Sequence, residues 1–342
     1  MRGEILPYAP VYYEALMRFF AATCPELTPL IWEAKYGAPS GPAPGRFAER
    51  LWVEGDRVLG HGAWWIVTVM VDGEPFQGAW FLDWHVAPDA RGIGGGKALM
   101  AAFPEEADLL LAARGSAASQ ARFSHWGWKK PAMGGVYLLP LAADLLARRR
   151  HLEGLRALPA RVIGCLASWS ASPKKPDLPQ GFVFQVHQGT LEPRIEPAVR
   201  NGVPRSKEAY AYIAGFPSLD CVSYSLDREG RTHAWMAAAF HREEGGLLCA
   251  NILDVAWEEG APDALLAAFL RAAALDLKSC DAAAAECLST GKTLTRVLES
   301  CRFLRRDEAC LWARPLTQKA GQALARGGEW RFSFFDSDLF LR

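Results

Sequence analysis

A glycine-rich segment, Arg91-Gly92-Ile93-Gly94-Gly95-Gly96-Lys97, constrains the fold more than any other stretch of the chain. Strand-like composition precedes it over residues 77–86, and a helix-like pattern follows it from Lys97. A glycine loop between a strand and a helix lets several backbone N–H groups converge on one phosphate, with the helix dipole behind them. Side chains would block the approach of an anion, and some of these positions can require a positive φ. The sequence therefore predicts a phosphate-binding loop, with Arg91 as an added cation.

Two common classes of glycine loop do not match this segment. A dinucleotide-binding fingerprint requires a third glycine where Lys97 stands, and it follows the first strand of a parallel unit. A mononucleotide P-loop that ends at Gly96-Lys97 requires glycine in place of Arg91, and serine or threonine in place of Ala98. The later Gly291-Lys292-Thr293 has glutamate where its first glycine would stand, so we interpret it as a helix cap.

The elements around the loop can be predicted from hydrophobic spacing and turn residues. Gly55-Asp56 and Asp72-Gly73 are turn sequences between three strand-like runs, which is typical of an antiparallel meander. The predicted order is helices at 10–24 and 28–36, strands at 46–53, 58–72 and 77–86, the loop, a helix at 97–103, a strand at 109–113, a helix from 116 and a strand at 136–140.

The same order of elements returns in the second half of the chain. Leu82-Asp83 and Leu253-Asp254 occupy the same place in the two orders, 171 residues apart, which indicates a duplicated domain. The loop of the second copy reads Trp257-Glu258-Glu259-Gly260-Ala261, and its carboxylates would repel a phosphate. We expect a degenerate second copy that packs against the first and forms a wall of the site where a second substrate, the acceptor, would bind. The predicted domains are residues 1–145, a helical linker at 146–180, the copy at 181–316, and a tail at 317–342 that docks on a domain.

The loop with its flanks forms the pattern Val-x-Pro-x-x-Arg-Gly-x-Gly-x-Gly, which begins at Val86. This pattern resembles the acyl-CoA signature of the Gcn5-related N-acetyltransferases (GNAT), and the resemblance covers roughly residues 1–140. A second signature of that family is matched by the segment 116–120 followed by Phe123, Gly127 and Trp128. The resemblance implies an α/β fold with a mixed sheet, as two tandem GNAT-like acyltransferase domains.

The resemblance also implies where acetyl-CoA, the acyl donor, would bind. The pyrophosphate would lie on the loop amides, and the pantetheine arm would run along the strand before the loop. A further contact would come from the helix that begins at 116. The residues so implied are Trp84, His85, Val86, Arg91, Gly92, Ile93, Gly94, Gly95, Gly96, Lys97 and Ser119.

Catalysis of acyl transfer to an amine benefits from a general base and from an acid for the departing thiolate. Asp83 and His85 point to the same side of one strand, and either could act as the base, directly or through water. The alternatives are a packed histidine and an aspartate that caps a neighbouring chain. The family often supplies the acid from a tyrosine where this chain has Phe123, so His125 could substitute, or the reaction could proceed without a dedicated acid, or the domain could bind acyl-CoA without turnover.

Three functions follow from these residues. The first is an N-acyltransferase that moves an acyl group, acetyl by expectation, to a small-molecule amine or amino sugar. The second is a CoA-binding scaffold without turnover. The third is a metal-dependent glycosyltransferase that uses Asp336-Ser337-Asp338, although a polar turn in an aromatic tail explains that segment better.

Composition excludes several other classes. Lys plus Arg equals Asp plus Glu, 38 each, so no global field recruits nucleic acid or a membrane surface. The longest apolar run, residues 63–71, is far shorter than the roughly 18 residues of a membrane-spanning helix. The N-terminus lacks the pattern of an export signal and the eight cysteines form no Cys-x-x-Cys pair, so we expect a cytoplasmic monomer or homodimer with reduced, mostly buried cysteines. The seven histidines show no metal-ligand spacing, and no metal is expected.

Overall fold

The computed structural model describes residues 3–37, 45–113, 115, 117–142, 144–145, 149, 176–195, 199–216, 219–243 and 246–336. Most of the predicted linker at 146–180 therefore lies outside the described residues. The elements of the first half are β1 (Glu4–Pro7), α1 (Tyr13–Thr23), α2 (Pro29–Trp32), β2 (Arg46–Glu54), β3 (Arg57–Val71), β4 (Glu74–Val86), α3 (Gly95–Ala101), β5 (Leu109–Ala113), α4 (Ala117–His125) and β6 (Lys129–Pro140).

The second half has the same order of elements, except that a single helix stands in place of α1 and α2 and a further helix follows the last strand. Its elements are β7 (Val183–Gln188), α5 (Lys207–Ala214), β8 (Asp220–Arg228), β9 (Arg231–Arg242), β10 (Leu248–Trp257), α6 (Asp263–Ser279), β11 (Ala284–Ser289), α7 (Lys292–Ser300), β12 (Leu304–Pro315) and α8 (Gln318–Arg326). The predicted order is confirmed, and β1 is an additional strand. Four residues are too few for a periodic signal, and β1 is defined only by its antiparallel pairing with β2.

The contacts divide the chain into two compact units. Unit 1 contains residues 1–131, 200–204 and 311–328, and unit 2 contains residues 132–199, 205–310 and 329 onward. These units differ from the predicted segments because two strands cross between them. β6 begins in unit 1 and ends in unit 2, and β12 begins in unit 2 and ends in unit 1. The end of β12, Leu311–Pro315, pairs with β5 in unit 1, and β6 pairs with β11 in unit 2.

Unit 1 is built on a sheet with the strand order β1, β2, β3, β4, β5 and the end of β12. The strands β2, β3 and β4 form the predicted antiparallel meander. β5 runs parallel to β4 and pairs with it only over Gly78–Phe81, so the last five residues of β4 continue beyond that pairing. A register shift opposite Gly62 and Trp64 marks a bulge in β4 beside Asp83.

Unit 2 has the same construction, with the strand order β6, β11, β10, β9, β8 and β7. β10 pairs with β9 in antiparallel and carries a bulge between Ile252 and Asp254. β11 runs parallel to β10 and pairs with it only over Cys249–Ile252. Each unit therefore has a bulged central strand whose end extends beyond its pairing with the parallel neighbour.

Apolar helix faces hold each sheet in place. In unit 1, Leu16 and Phe20 of α1 pack with Trp52 and Leu99 in one buried cluster. In unit 2, α6 buries Phe269 against the sheet. Burial of each such side chain stabilises a fold by about 1.5–3 kcal/mol. Within the part of the chain that the structure describes, no helix combines the length and the apolar character that crossing a bilayer requires.

Candidate functional site

The loop between β4 and α3 has the backbone that the sequence predicts. Gly92 and Gly94 adopt positive φ values of 86° and 97°, and a Cβ built on either would meet no atom within 4 Å. These two glycines are thus required by conformation, because L-residues are strained in the left-handed region. Gly94 caps α3, so the amides of the first two helical residues, Gly95 and Gly96, lie at its N-terminus, before the first amide that bonds to Gly94.

Gly95 is required for a different reason, which is the close approach of a tryptophan. A Cβ on Gly95 would lie 2.1 Å from the ring of Trp52, whereas one on Gly96 would lie 3.4 Å from the ring of Trp84, an ordinary contact distance. The Trp84 indole also donates a hydrogen bond to the carbonyl oxygen of Gly96 at 3.1 Å. Gly95 therefore packs the start of α3 onto the sheet, a role that the sequence did not reveal.

The non-glycine residues of the loop differ in what they contact. Arg91 is exposed, and its Nε donates to the carbonyl oxygen of Val86 at 3.2 Å, which holds the guanidinium beside the loop. The backbone amide of Lys97 donates to Gly94 at 3.1 Å, so this amide of the predicted set is already used within the helix cap. Ile93 is 48% exposed at the tip of the loop.

The end of β4 presents backbone groups on the side away from β3. Ala87 donates its amide to Leu59, and His61 is opposite His85 in the same ladder. Because hydrogen-bonded pairs alternate in an antiparallel ladder, the backbone of His85 faces β3, whereas those of Trp84 and Val86 face the other side. Of the three strand residues in the predicted pantetheine set, two therefore direct backbone groups toward the open side.

Asp83 lies in a buried polar cluster at the bulge of β4. Its side chain is 6% exposed, and its Oδ2 accepts hydrogen bonds from Lys35 Nζ at 2.8 Å and from the Tyr36 hydroxyl. Its Oδ1 lies 3.7 Å from His85 Nε2. Burial by itself would raise the pKa of Asp83, but Lys35, His85 and His61 together hold it well below its ordinary value. Asp83 is thus a stable carboxylate, which makes it a weak base.

A second buried pair lies next to this cluster. His61 is fully buried, and its Nε2 lies 2.9 Å from Glu49 Oε2, which also accepts a hydrogen bond from the Trp32 indole at 3.0 Å. The His61 ring packs edge-on against Phe20. Sequence reasoning missed His61 and Glu49, together with Lys35 and Tyr36 of the first cluster. Glu49 lies on β2, His61 lies on β3, and Lys35 and Tyr36 lie in the segment 33–37. These three elements share no motif, so no local signal was available to find the four residues.

His85 is the more accessible of the two predicted bases. Its side chain is 24% exposed, compared with 6% for Asp83. The structure brings the two side chains together as the period-two alternation predicts. His85 thus combines exposure, a titratable ring and a neighbouring carboxylate.

The second signature forms an aromatic cluster. Phe123 is buried between the rings of Trp128 and Trp312, at centroid distances of 4.8 and 5.7 Å. Ser119 is half-buried in the same helix, α4. His125 is exposed at the end of α4, and no contact in the described part of the chain joins it to Asp83 or His85. The structure therefore does not assemble His125 with the predicted base.

Unit 2 repeats the buried acid at the bulge. Asp254 Oδ2 accepts from Arg205 Nε at 3.0 Å and from the Tyr210 hydroxyl at 2.6 Å. Ala256 takes the place of His85, two residues after the aspartate. At the loop, Glu258 forms ion pairs with Arg231 and His233. Unit 2 thus keeps the acid but has neither the histidine nor a cationic glycine loop.

The part of the predicted tail that follows α8, described over residues 329–336, lies along the end of β10, and only this segment is called the tail below. Arg331 donates to both oxygens of Asp254 at 2.9 Å and to the carbonyl oxygen of Val255 at 2.8 Å, and the amide of Phe335 donates to Leu253 at 3.0 Å. These strand residues lie beyond the last pair with β11, at the positions that remain unpaired with β5 in unit 1. The tail also buries Trp330, Phe332, Phe334 and Phe335. In unit 2 the tail therefore covers the strand end that extends beyond the pairing with β11.

Asp336, the described residue of the tail's acidic element, is bound by a guanidinium. Both oxygens of Asp336 accept hydrogen bonds from Arg205, at 2.9 and 2.8 Å, and its Oδ2 also accepts from the amide of Ser333 at 2.9 Å. Asp338, the second acid of that motif, lies outside the described residues. Asp336 is thus a structural group of unit 2, as expected for a polar turn in an aromatic tail.

One other cluster offers metal-ligand atoms among the described residues. Potential ligand atoms of His241, Glu243 and Cys249 lie within 4.8 Å of one another. However, Arg149 donates two hydrogen bonds to Glu243, at 3.0 and 2.6 Å, and its guanidinium also lies 3.8 Å from Cys249 Sγ. The cluster therefore already holds a cation of the protein itself.

The sequence matches no family profile and no curated protein. Solved structures do resemble it. A tandem GNAT protein from the clavulanic acid biosynthesis pathway, solved without acetyl-CoA, is 16% identical with a TM-score of 0.59, over 91% of this chain and 98% of that one. A probable N-acyltransferase from Enterococcus faecalis is 10% identical with a TM-score of 0.57, over 92% and 72% of the two chains.

A eukaryotic enzyme shares the same fold. N-myristoyltransferase from Saccharomyces cerevisiae, with bound myristoyl-CoA, is 12% identical with a TM-score of 0.57, over 91% of this chain and 82% of that one. These likenesses extend over both units. The chain therefore has the tandem GNAT fold, which confirms the fold class and the resemblance drawn from its sequence.

Proposed function

We propose that the chain is an acyl-CoA-dependent N-acyltransferase with its active site in unit 1. The observation that carries the proposal is the loop of unit 1, where two left-handed glycines, Gly92 and Gly94, and the cation Arg91 precede the open N-terminus of α3. Backbone amides and a guanidinium at such a place bind a pyrophosphate. The tandem GNAT fold supports a CoA thioester as the ligand.

In this proposal the pantetheine arm lies along the end of β4. Trp84 and Val86 offer backbone groups there, while the backbone of His85 remains in the β3 ladder. The thioester would then lie beside the side chain of His85. Acetyl is the proposed acyl group, and a small amine or amino sugar is the proposed acceptor.

The reaction is a direct transfer. The acceptor nitrogen attacks the thioester carbonyl carbon, so an N–C bond forms and the C–S bond breaks, and CoA leaves as a thiolate. His85 accepts the proton that the nitrogen loses, because it is the accessible titratable group beside the strand end. No chain residue is assigned as the acid for the thiolate, since Phe123 has no proton to give and is buried in the aromatic cluster.

Calorimetry with acetyl-CoA tests the binding half of the proposal. A branched residue at Gly94 would be strained and would crowd the loop, so Gly94→Val should weaken binding at least about tenfold. Gly260→Val is the matched control, because Gly260 has a φ of 81° and open space in the corresponding loop of unit 2. It should bear similar strain and leave acetyl-CoA affinity unchanged. Equal affinity in wild type and Gly94→Val would contradict the proposal.

A CoA-binding scaffold is the second candidate, and the burial of Phe123 in place of a tyrosine favours it. The two functions differ in turnover. Wild-type protein that binds acetyl-CoA and releases free thiol with an amine from a panel of amino sugars and small amines is an acyltransferase. Tight acetyl-CoA binding without thiol release from any member of the panel would favour the scaffold.

A further inference from the structure

The two units carry the same buried acid in the same place. Asp83 and Asp254 each lie at the bulge of the central strand, and they are 5% and 4% exposed. The Oδ2 atom of each accepts from a cation and from a tyrosine hydroxyl that come from the segments before the meander. The partners are Lys35 and Tyr36 in unit 1, and Arg205 and Tyr210 in unit 2. We call this arrangement the bulge anchor.

Unit 2 acts as an internal control for the role of this anchor. Its β10–α6 loop carries Glu258, Glu259 and a single glycine, and the tail covers the strand end. The bulge anchor is therefore present in a unit that lacks both the cationic glycine loop and the histidine of unit 1. An arrangement shared by both units secures the fold at the bulge, and its presence in unit 1 does not by itself mark a base.

The units differ on the other carboxylate oxygen. In unit 1, Asp83 Oδ1 lies 3.7 Å from His85 Nε2. In unit 2, where Ala256 replaces the histidine, Asp254 Oδ1 accepts from Arg331 at 2.9 Å. In both units this oxygen thus faces a nitrogen-bearing side chain. The distance in unit 1 exceeds a hydrogen bond, so Asp83 acts on the His85 ring through its charge.

We propose that Asp83 is a positioning residue that acts through His85, and that it does not itself take the proton of the acceptor. The proposal rests on the proposed acyltransferase function. Asp83 Oδ2 remains fixed by Lys35 and Tyr36, and Oδ1 favours the His85 tautomer that carries its proton on Nε2. His85 Nδ1 then carries the lone pair that receives the proton when the N–C bond forms and the C–S bond breaks.

The surroundings of Asp83 keep its charge constant while His85 changes protonation. Lys35 and Tyr36 face Asp83 from residues 33–37, His61 faces it from β3, and His85 faces it from β4. Glu49 on β2 is bound to His61. A carboxylate so surrounded can stabilise the imidazolium that forms in the reaction, as the aspartate of a catalytic triad does.

Nitrogen NMR of the full-length chain tests this role without any ligand. The ¹⁵N shifts of the His85 ring report which nitrogen carries the proton, and His85→Gln assigns the signal. We expect wild type to show the Nε2–H tautomer and Asp83→Asn to show a changed tautomer ratio. The matched control Asp254→Asn should leave the His85 signal unchanged, although both Asn variants should lower the Tm by about 5 °C or more. A His85 signal that is identical in wild type and Asp83→Asn would overturn the proposal.

A milder pair of variants decides the matter if Asp83→Asn does not fold. Tyr36→Phe removes one anchoring hydroxyl at nearly constant shape, and Tyr210→Phe does the same in unit 2. Only Tyr36→Phe should alter the His85 signal, and an unaltered signal would overturn the proposal. Acetyl-CoA calorimetry on the wild type is run in parallel. Absence of binding would refute the proposed function, whereas the tautomer result would still report on Asp83 and His85.

Discussion

The four glycines of the unit 1 loop illustrate how one residue type serves two physical needs. Gly92 and Gly94 permit left-handed backbone in open space, and Gly95 permits close packing against Trp52. The first need concerns ligand access and the second concerns stability. Substitutions within one short loop should therefore have separable effects.

We predict that Gly95→Ala lowers the free energy of unfolding by about 1–3 kcal/mol, because its methyl group would overlap the Trp52 ring. Gly55→Ala provides the control, since Gly55 has a φ of 58° in the β2–β3 turn and open space around it. Its cost should be limited to about 1 kcal/mol of backbone strain. Urea unfolding measures both values, and equal costs would contradict the packing role of Gly95.

At the residue scale, the sequence predicted the groups that share one element. Asp83 and His85 lie on one strand, and period-two alternation was enough to place them together. Lys35, Tyr36 and His61 complete the cluster from other elements. Their identity depends on long-range packing, which hydrophobic spacing does not report.

At the scale of elements, the bulged strand and the tail define what each unit can bind. β4 and β10 both continue beyond their parallel neighbours. In unit 2 the tail covers this extension through Arg331, which bonds to Asp254 and to Val255. The tail therefore acts as part of the unit 2 fold.

We predict that Arg331→Ala lowers the free energy of unfolding by about 2–4 kcal/mol, because it removes a partner of the buried Asp254. The control is Arg326→Ala, which removes ion pairs of a side chain that is 47% exposed. It should cost less than Arg331→Ala, because solvent screens exposed ion pairs. Equal costs in denaturant unfolding would show that the Arg331 contacts contribute no more than a surface ion pair.

The contribution of the Arg331–Asp254 ion pair to the free energy of unfolding should also depend on pH. Burial by itself would raise the pKa of Asp254, but Arg331 and Arg205 outweigh it and lower that pKa. A carboxyl group whose pKa is lower in the folded state stabilises the fold above its unfolded value of about 4 and loses this effect as the pH falls. The stability difference between wild type and Arg331→Ala should stay constant from pH 8 to 5 and narrow at lower pH.

At the scale of the whole molecule, the two units differ at the end of the central strand. Unit 1 has the glycine loop and His85, whereas in unit 2 Glu258 is paired with Arg231 and the described residues of the tail cover the end of β10. We predict that one acetyl-CoA binds per chain, measured as the calorimetric stoichiometry. Glu258→Gln combined with Glu259→Gln should leave this value at one, because the tail still covers β10. Binding of two acetyl-CoA molecules per chain, by the wild type or by the double variant, would contradict the inference that unit 2 binds none.

The sequence by itself determined the local order of elements, the meander with its turns, the left-handed loop glycines and the shared strand of Asp83 and His85. Each of these follows from spacing or backbone preference over a few residues. Only the tertiary structure decided the exchange of strand ends, the bulge anchors and the path of the tail. The end of β12 pairs with β5 from far earlier in the chain, and Arg331 bonds to Asp254 across three intervening helices and two strands. Such contacts depend on which surfaces complement one another after folding, and no local pattern encodes that choice.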